Sequence, residues 1–322
     1  MKKHIKAHTA LLCAVLLSLL SLGGCQDTSA KEDSIVCSSF ITYDWVSKIT
    51  AGDEWNIHLL GAKGADIHSY EPTVRDIAKI ADCRLLVRIG GESDDWAGKV
   101  ISAAKNDTMT DLALCEEIEY LLCENEGEHE HGEKEQSHDG HEHRYDEHIW
   151  FSFEYSYACI ERITDTLTAL RPESETLYRE NARQYLDTLR EIEAQYVDMA
   201  SSVEDGHIVV CDRFPFYYLS RDLGIEYSAA FEGCSAESEA SFSVVSALAR
   251  EIDHAQLEYV LICEGTDDAL ARSVINATKN KNARILTLDS MQSLSEDDIG
   301  KRDYASQLLY NLEVLKTALG VE

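Results

Sequence analysis

The chain has 322 residues, a length that suits two domains of ordinary size, and a formal net charge of −30 at pH 7. So large a negative charge argues against a nucleic-acid partner, because the phosphates would be repelled. It favours instead a protein that attracts cations.

The amino terminus has the organisation of a bacterial lipoprotein signal. Lys2, Lys3 and Lys6 precede an apolar run at residues 10–22 that is too short for a comfortable membrane span. The run ends in Leu-Gly-Gly-Cys, which resembles a lipobox. We predict a signal peptide at residues 1–24, lipid attachment to Cys25 and a lipidated tether at residues 25–33. Acyl chains would then hold the protein on the extracytoplasmic face of the cell membrane.

Strand-like apolar runs alternate with helical patterns in the segment that follows. A strand leads into a helix at residues 34–52, and a second strand lies at 55–61. A helix opened by Pro72 and a further strand at 83–90 continue the alternation. Such a pattern predicts parallel βα units, so we expect an amino-terminal α/β lobe over residues 34–171.

Four of the 10 cysteines lie inside strand-like apolar runs: Cys37, Cys83, Cys211 and Cys263. An exported protein can use cysteines in disulfides, but a cysteine within such a run more often serves as a small core residue. We therefore expect these four to be buried. The sequence leaves their pairing open.

Residues 124–147 form an acidic, histidine-rich segment that offers almost nothing to a hydrophobic core. We expect a loop, because the segment cannot bury enough apolar surface to offset its ordering entropy. Neutral imidazole suits zinc, copper and nickel, and dense carboxylates concentrate cations. The segment therefore predicts transition-metal recruitment, with a merely solvated acidic loop as the alternative. The histidines expected to take part are His129, His131, His138, His141 and His143.

A long helix is predicted at residues 172–203. Apolar residues recur there in a sustained 4-3-4-3 spacing, from Tyr178 to Val203, and Pro172 suits the first turn. The helix would have roughly 30 residues and a length of ~45 Å. A rigid connection between two lobes is the role that such a length suggests.

Alternation of strands and helices resumes over residues 204–322 and ends with a helix at 304–319 that closes at Gly320. We therefore predict an α/β fold class, in which two lobes with mainly parallel sheets are joined by one long rigid helix. Such lobes bind ligands at the carboxyl ends of their strands. The expected site lies in the cleft between the lobes.

Three sequence motifs carry a resemblance to a known family. GADIHSYEPT at residues 64–73, DEHIW at 146–150 and VLICEGTDD at 260–268 resemble, in the same order, segments of the zinc/manganese-binding lipoproteins of metal ABC importers (the cluster A-I solute-binding proteins). The resemblance runs from about residue 34 to the carboxyl terminus. It implies capture of a divalent metal and delivery to an ABC permease. Zinc is the expected metal because the His-rich loop is characteristic of the zinc-binding branch; manganese, iron or nickel is the alternative.

The resemblance implies two histidine ligands, His68 and His148. His68 follows a Gly-Ala-Asp turn after a strand, and a lone histidine there would more often be structural or solvated. His148 ends the acidic loop and begins an apolar run, so we expect it to be anchored in the core. Asp66 and Asp146 are the candidates for holding the other ring nitrogens.

The carboxyl lobe departs from the family pattern. Arg213 stands where the family usually has a histidine or glutamate, and a guanidinium cannot coordinate a cation. A third metal ligand must then come from elsewhere. We favour Asp267, followed by Glu264, with Asp212 as a further candidate. The weakest candidates are Glu232 and Cys234.

A zinc-dependent envelope hydrolase is the alternative from another class. Its site would need an open coordination position and a general base, and the sequence has no HExxH, GxSxG or P-loop motif. Metal storage by the loop alone is a weaker option. We therefore predict a monomeric binding protein that is not an enzyme.

Overall fold

The computed structural model describes residues 33–61, 67–119, 146–233, 240–293, 298 and 300–321. Cys25 and the five loop histidines predicted to recruit metal lie outside the described residues, so those predictions stay predictions. The predicted limits of the signal peptide, tether, lobes and linker also stay predictions. Within the described ranges, no helix is both long and apolar enough to cross a bilayer.

The amino-terminal lobe is built on a parallel sheet with the strand order β2-β1-β3-β4. The central strands β1 and β3 are almost entirely buried, as expected for strands covered on both faces. A capping box between Ser39 and Thr42 begins helix α1. The elements are β1 Ser34–Cys37, α1 Phe40–Ile49, β2 Asn56–Leu59, α2 Val74–Asp82, β3 Leu85–Arg88, α3 Ala97–Ala104, β4 Thr110–Ala113 and α4 Leu114–Glu117.

Two long helices follow, α5 at Phe153–Leu170 and α6 at Glu175–Ser201, joined by the 3-10 turn Pro172–Ser174. The 27 residues of α6 make a helix about 40 Å long, which confirms the predicted long helix. Its buried face contacts α5, helix α1 of the first lobe and the last helix of the chain. The buried residues are Tyr178, Ala182, Tyr185, Leu186, Leu189, Ile192, Tyr196 and Met199.

The carboxyl-terminal lobe repeats the topology of the first, with a parallel sheet in the order β6-β5-β7-β8. The predicted fold class of two parallel α/β lobes is confirmed. Its elements are β5 His207–Phe214, α7 Tyr217–Leu223, β6 Glu226–Glu232, α8 Phe242–Ala255, β7 Tyr259–Cys263, α9 Ala269–Ala277, β8 Arg284–Leu288 and α10 Tyr304–Leu319.

The largest hydrophobic core extends through both lobes and helix α6. Tyr304 of α10 packs edge-on against Trp45 of α1, with ring centroids 5.5 Å apart. Tyr196 of α6 donates a hydrogen bond to the carbonyl of Leu308, also in α10, at 2.6 Å. The lobes are therefore connected by a continuous core and by α10, as well as by the long helix.

The four cysteines predicted to lie in the core do so. Cys37, Cys83, Cys211 and Cys263 are each at most 8% exposed. None of them forms a disulfide with another described residue. Burial raises the pKa of the Cys211 thiol to about 12, so this cysteine serves as a small core residue and not as a thiolate ligand.

Candidate metal site

His68 lies in the 3-10 turn Ile67–Ser69, between β2 and α2. Its Nδ1 is 2.9 Å from Oε1 of Glu147, which is only 3% exposed. The second carboxylate oxygen of Glu147 accepts hydrogen bonds from the amide and hydroxyl of Ser93, at 3.0 and 2.9 Å. Burial alone would raise the pKa of Glu147, but the contacts with His68, the Ser93 amide and His148 together outweigh burial and lower the pKa. Glu147 is therefore ionised and holds the His68 ring in one orientation.

Gly91 provides the space that Glu147 occupies. Its backbone has φ +85°, and a Cβ on Gly91 would lie 2.5 Å from Oε2 of Glu147. Both the backbone conformation and the close approach require glycine at this position. The turn Glu92–Asp94, which carries Ser93, begins directly after it.

His148 is fully buried at the amino end of the turn Ile149–Phe151. The apolar residues of this turn are themselves buried, which anchors His148 in the core as predicted. Its Nδ1 lies 2.6 Å from Oδ1 of Asp146, the carboxylate expected for this role. The ring centroid is 5.5 Å from that of His68. Asp66, the other carboxylate considered, lies outside the described residues.

The two carboxylates determine which imidazole nitrogens are available to a ligand. A carboxylate only accepts hydrogen bonds, so Nδ1 carries the proton in both His68 and His148 and Nε2 presents a lone pair in the neutral ring. Both Nε2 atoms are hydrogen-bonded to the side-chain nitrogen of Gln292; the distance from His68 is 3.1 Å. The two lone pairs therefore converge on one point. Such an arrangement is typical of histidines that bind metals.

The carboxyl lobe contributes a cavity of about 200 Å³, which Gln292 also lines. Its other lining residues include Asp212 and Arg213 near the end of β5, Glu264 after β7, and Ser290 after β8. In the strand order β6-β5-β7-β8, the chain continues from β5 to β6 on one side of the sheet and from β7 to β8 on the other. The cavity at the ends of β5 and β7 therefore lies at the topological switch point of the sheet. Ligands of open α/β sheets bind at such positions.

Glu264 and Asp212 are the two acidic candidates that line this cavity. The Glu264 carboxylate accepts hydrogen bonds from the amide and hydroxyl of Ser290, at 2.5 and 2.6 Å. Burial and the nearby Asp289 raise the pKa of Glu264 to about 7. A cation beside this group would favour its ionised form.

Asp212 and Asp267, like Glu264, accept hydrogen bonds from backbone amides. Asp212 accepts hydrogen bonds from the amides of Arg213 and Cys263, at 2.8 and 3.0 Å, and so ties β5 to β7. Asp267 is exposed, and its Oδ1 accepts a hydrogen bond of 2.9 Å from the amide of Ala269 at the start of α9. Asp267 is not among the residues that line the cavity, whereas Glu264 is. The position of Asp267 therefore gives no support to the preference for it over Glu264.

Three residues near the site had not been singled out from the sequence. Glu147 holds His68, Gln292 contacts both imidazoles, and Asp289 follows β8 beside Glu264. Asp289 is bound to Arg302 and accepts a hydrogen bond from the amide of Met291 at 2.9 Å. Across the described part of the chain, no three His, Cys, Asp or Glu side chains are grouped closely enough to hold a metal ion. A third ligand from among these described residues would therefore have to move toward the imidazole pair.

Two parallel α/β lobes with converging imidazoles between them define a solute-binding protein of the metal-binding class. The chain belongs to the ZnuA family, described as zinc-uptake complex component A, periplasmic, whose model matches residues 35–318. The resemblance drawn from the three sequence motifs is confirmed.

The chain is similar to two curated streptococcal proteins. It is 27% identical over 317 residues to the zinc-binding lipoprotein AdcA of Streptococcus pneumoniae, covering 98% of this chain and 60% of AdcA. The chain thus spans less than two thirds of that relative's length. It is 23% identical over 327 residues to the manganese ABC transporter substrate-binding lipoprotein PsaA of the same species, covering 99% of both proteins.

Solved structures share the fold. The periplasmic zinc-binding protein TroA from Treponema pallidum is similar with a TM-score of 0.72 at 20% identity, over 89% of this chain and 99% of TroA. The Zn(II)-bound ZnuA-like domain of AdcA from S. pneumoniae is similar with a TM-score of 0.69 at 22% identity, over 89% of this chain and 99% of that domain.

Proposed function

We propose that this protein captures a divalent transition metal outside the cell and delivers it to the permease of an ABC importer. Zinc is the metal that we favour. One observation carries the proposal: the Nε2 lone pairs of His68 and His148 converge on one point while carboxylates hold both Nδ1 atoms. A carboxylate bound to the far ring nitrogen fixes the tautomer and strengthens the imidazole as a ligand. The names of AdcA and PsaA, zinc-binding and manganese-transporting, support a metal as the cargo.

Glu264 is the proposed ligand from the carboxyl lobe, with the neighbouring Asp289 as the alternative. Glu264 lines the same cavity as Gln292, and Asp267 does not. Asp212 lines it too, but its carboxylate is bonded to two backbone amides and ties β5 to β7. Two imidazoles and one carboxylate match the N/O ligand sets of zinc; manganese favours a larger share of oxygen ligands. This set therefore supports zinc ahead of manganese.

Lipid attachment at Cys25 would keep the site at the membrane surface, close to the permease. The histidines of residues 124–147 would bind metal weakly at the start of the segment that leads into His148. A high local concentration of such weak sites favours transfer into the tighter site. Replacement Cys25→Ala should move the protein out of the membrane fraction, and retention there would count against the anchor.

Metal capture suits this arrangement better than hydrolysis does. In a hydrolytic zinc site, a general base stands beside an open coordination position. Asp146 and Glu147 contact the Nδ1 atoms, on the far side of each ring from the converging lone pairs. They orient the ligands and do not face a substrate.

The experiment is a zinc competition titration of the full chain against a chromophoric chelator strong enough to strip the weak loop sites. His68→Ala and His148→Ala should each weaken the tight site by well over tenfold, more than ~1.4 kcal/mol. His254→Ala, an exposed histidine in the last turn of α8, is the matched control and should leave the affinity unchanged. Tight binding that survives both site substitutions would refute the proposal. Metal analysis of protein purified from cells should find zinc; manganese there would make manganese the cargo.

A further inference from the structure

Gln292 links the two lobes at the candidate metal site. It lies in the loop after β8, in the carboxyl lobe, and its side-chain nitrogen reaches the Nε2 atoms of His68 and His148 in the amino lobe. The other end of the amide, Oε1, is 3.3 Å from the hydroxyl of Ser290. That hydroxyl also lies 2.6 Å from Glu264. The side chain therefore spans the space between both imidazoles and the acidic group of the other lobe.

The imidazole tautomers determine the orientation of this amide. Because both Nδ1 atoms donate to carboxylates, both Nε2 atoms accept, and the group that meets them must donate two hydrogen bonds. The NH₂ end of Gln292 has two N–H donors, one for each lone pair. Its carbonyl oxygen, which only accepts, then faces the Ser290 hydroxyl. The amide nitrogen thus occupies the point at which a metal would meet the same two lone pairs.

We propose that Gln292 occupies the metal position in the metal-free protein. Its side-chain amide holds the two imidazoles there and must be displaced before a metal binds. This inference rests on the proposed function, since it takes the imidazole pair as the metal site. A second contact supports the same arrangement: the indole of Trp150 donates a hydrogen bond of 3.2 Å to the carbonyl of Ser290. The loop that carries Gln292 is therefore tied to the amino lobe beside His148.

Displacement is required because His148 is fully buried in this arrangement. A metal cannot reach its Nε2 until Gln292 leaves. The apparent affinity for the metal is then reduced by the fraction of molecules in which the amide occupies the site. From the usual net strength of two hydrogen bonds, removing the amide should tighten zinc binding about tenfold.

The opposite role predicts the opposite sign. If Gln292 instead rotates and coordinates zinc through Oε1, its loss should weaken binding. Zinc affinity of Gln292→Ala, measured in the full chain by chelator competition, separates the two. Gln195→Ala is the matched control, because Gln195 is an exposed glutamine on helix α6, away from the cavity. We expect about tenfold tighter binding for Gln292→Ala and no change for Gln195→Ala. Weaker or unchanged binding for Gln292→Ala would overturn the inference.

A second measurement reports on the amide directly. In ¹H–¹⁵N spectra, the side-chain NH₂ of Gln292, assigned by its loss in Gln292→Ala, should be protected from solvent exchange without zinc. It should lose that protection when one equivalent of zinc binds, and persistence of the protection would also overturn the inference. His68→Ala separates this result from failure of the proposed function. If His68→Ala keeps tight zinc binding, the metal lies elsewhere and the proposed function fails. If His68→Ala loses tight binding but zinc leaves the Gln292 amide of the wild-type protein protected, only the role of Gln292 is wrong.

Discussion

The carboxylate of Glu147 lies 2.9 Å from Nδ1 of His68, although Glu147 directly precedes His148 in the chain. Asp146, one position earlier, holds His148 itself. The tripeptide Asp146-Glu147-His148 thus supplies one imidazole and the carboxylates that orient both. The end of the acidic segment is therefore part of the candidate site, and not part of a loop that only recruits metal.

Glu147→Ala should weaken zinc binding ten- to a hundredfold, because His68 loses the partner that fixes its tautomer and orientation. Chelator competition in the full chain measures the change. The exposed Glu154 in α5 offers a control of the same residue type, and Glu154→Ala should leave the affinity unchanged. An equal effect of both substitutions would indicate a general loss of negative charge instead of a specific contact.

Gly91→Ala should reproduce much of the Glu147 effect without changing a polar group. The added Cβ would lie 2.5 Å from the Glu147 carboxylate at a backbone φ of +85°, so the carboxylate must shift and the backbone is strained. We expect weaker zinc binding and a loss of ~1–3 kcal/mol in the free energy of unfolding. Gly98→Ala, in helix α3 with nothing within 4 Å of the added Cβ, should instead be neutral or stabilising by ~0.5–1 kcal/mol. Equal destabilisation by both would contradict the close approach.

Two nested deletions should separate the weak loop sites from the tight site. Deletion of residues 126–144 should remove weak zinc equivalents and keep one tight site, because Asp146, Glu147 and His148 remain. Deletion of residues 126–147 should also impair the tight site, because both orienting carboxylates are lost. Titration calorimetry of the two deletions gives the comparison. Equal tight binding in both would show that the carboxylates do not support the histidines.

Glu264→Gln should weaken zinc binding more than tenfold, which is more than ~1.4 kcal/mol. Its carboxylate faces the cavity shared with Gln292, whereas Asp267 is exposed and bonded to the start of α9. Asp267→Asn is therefore the control and should change the affinity less than twofold, since asparagine can keep the same hydrogen bond. A large effect of Asp267→Asn with none of Glu264→Gln would restore Asp267 as the ligand. If neither matters, Asp289→Asn tests the neighbouring carboxylate.

Asp44 should make the stability of the protein depend on pH. Burial raises the pKa of this carboxyl from 3.8 to about 6, although Tyr185 donates a hydrogen bond to it. Because the folded pKa exceeds the unfolded one, the stabilising contribution is fully present below about pH 4 and is lost as the pH rises through about 6. The shift corresponds to roughly 3 kcal/mol.

Asp44→Asn should therefore become more stable relative to the wild type as the pH rises from about 4 to 7, by up to ~3 kcal/mol. Urea unfolding of both proteins across this range, with a chelator present, measures the difference. Using the difference between the two proteins removes the contribution of other groups that titrate in the same window. Free energies of unfolding that stay parallel across the range would contradict the assignment.

The order of strands and helices was largely predictable because periodicity is a local property. Buried parallel strands such as β1 and β7 are short apolar runs in the sequence, and α6 has apolar residues at helical spacing along its whole length. Helix α6 ends at Ser201, close to the predicted end at residue 203. The caps, such as Gly320 after α10, could also be read from residue type alone.

Elements with weak local signals were not identified. Helix α5, Phe153–Leu170, is rich in aromatic and β-branched residues, which have modest helix propensity, and packing against α6 stabilises it instead. Strand β4, Thr110–Ala113, lies at the edge of its sheet and begins with two polar residues. In both cases the neighbours in space, and not the segment itself, determine the structure.

The sequence by itself determined the family, the two-lobed fold and the choice of His68 and His148 as candidates, because motifs and strand patterns consist of residues that are consecutive in the chain. Only the tertiary structure decided that Glu147 holds His68, that Gln292 meets both imidazoles, and that Glu264 faces the cavity while Asp267 does not. These contacts join residues far apart in the chain, and they depend on where each strand ends and which way its last side chain points. A shift of one residue in the position of a strand end reverses the direction of its last side chain, and the local sequence does not specify that position.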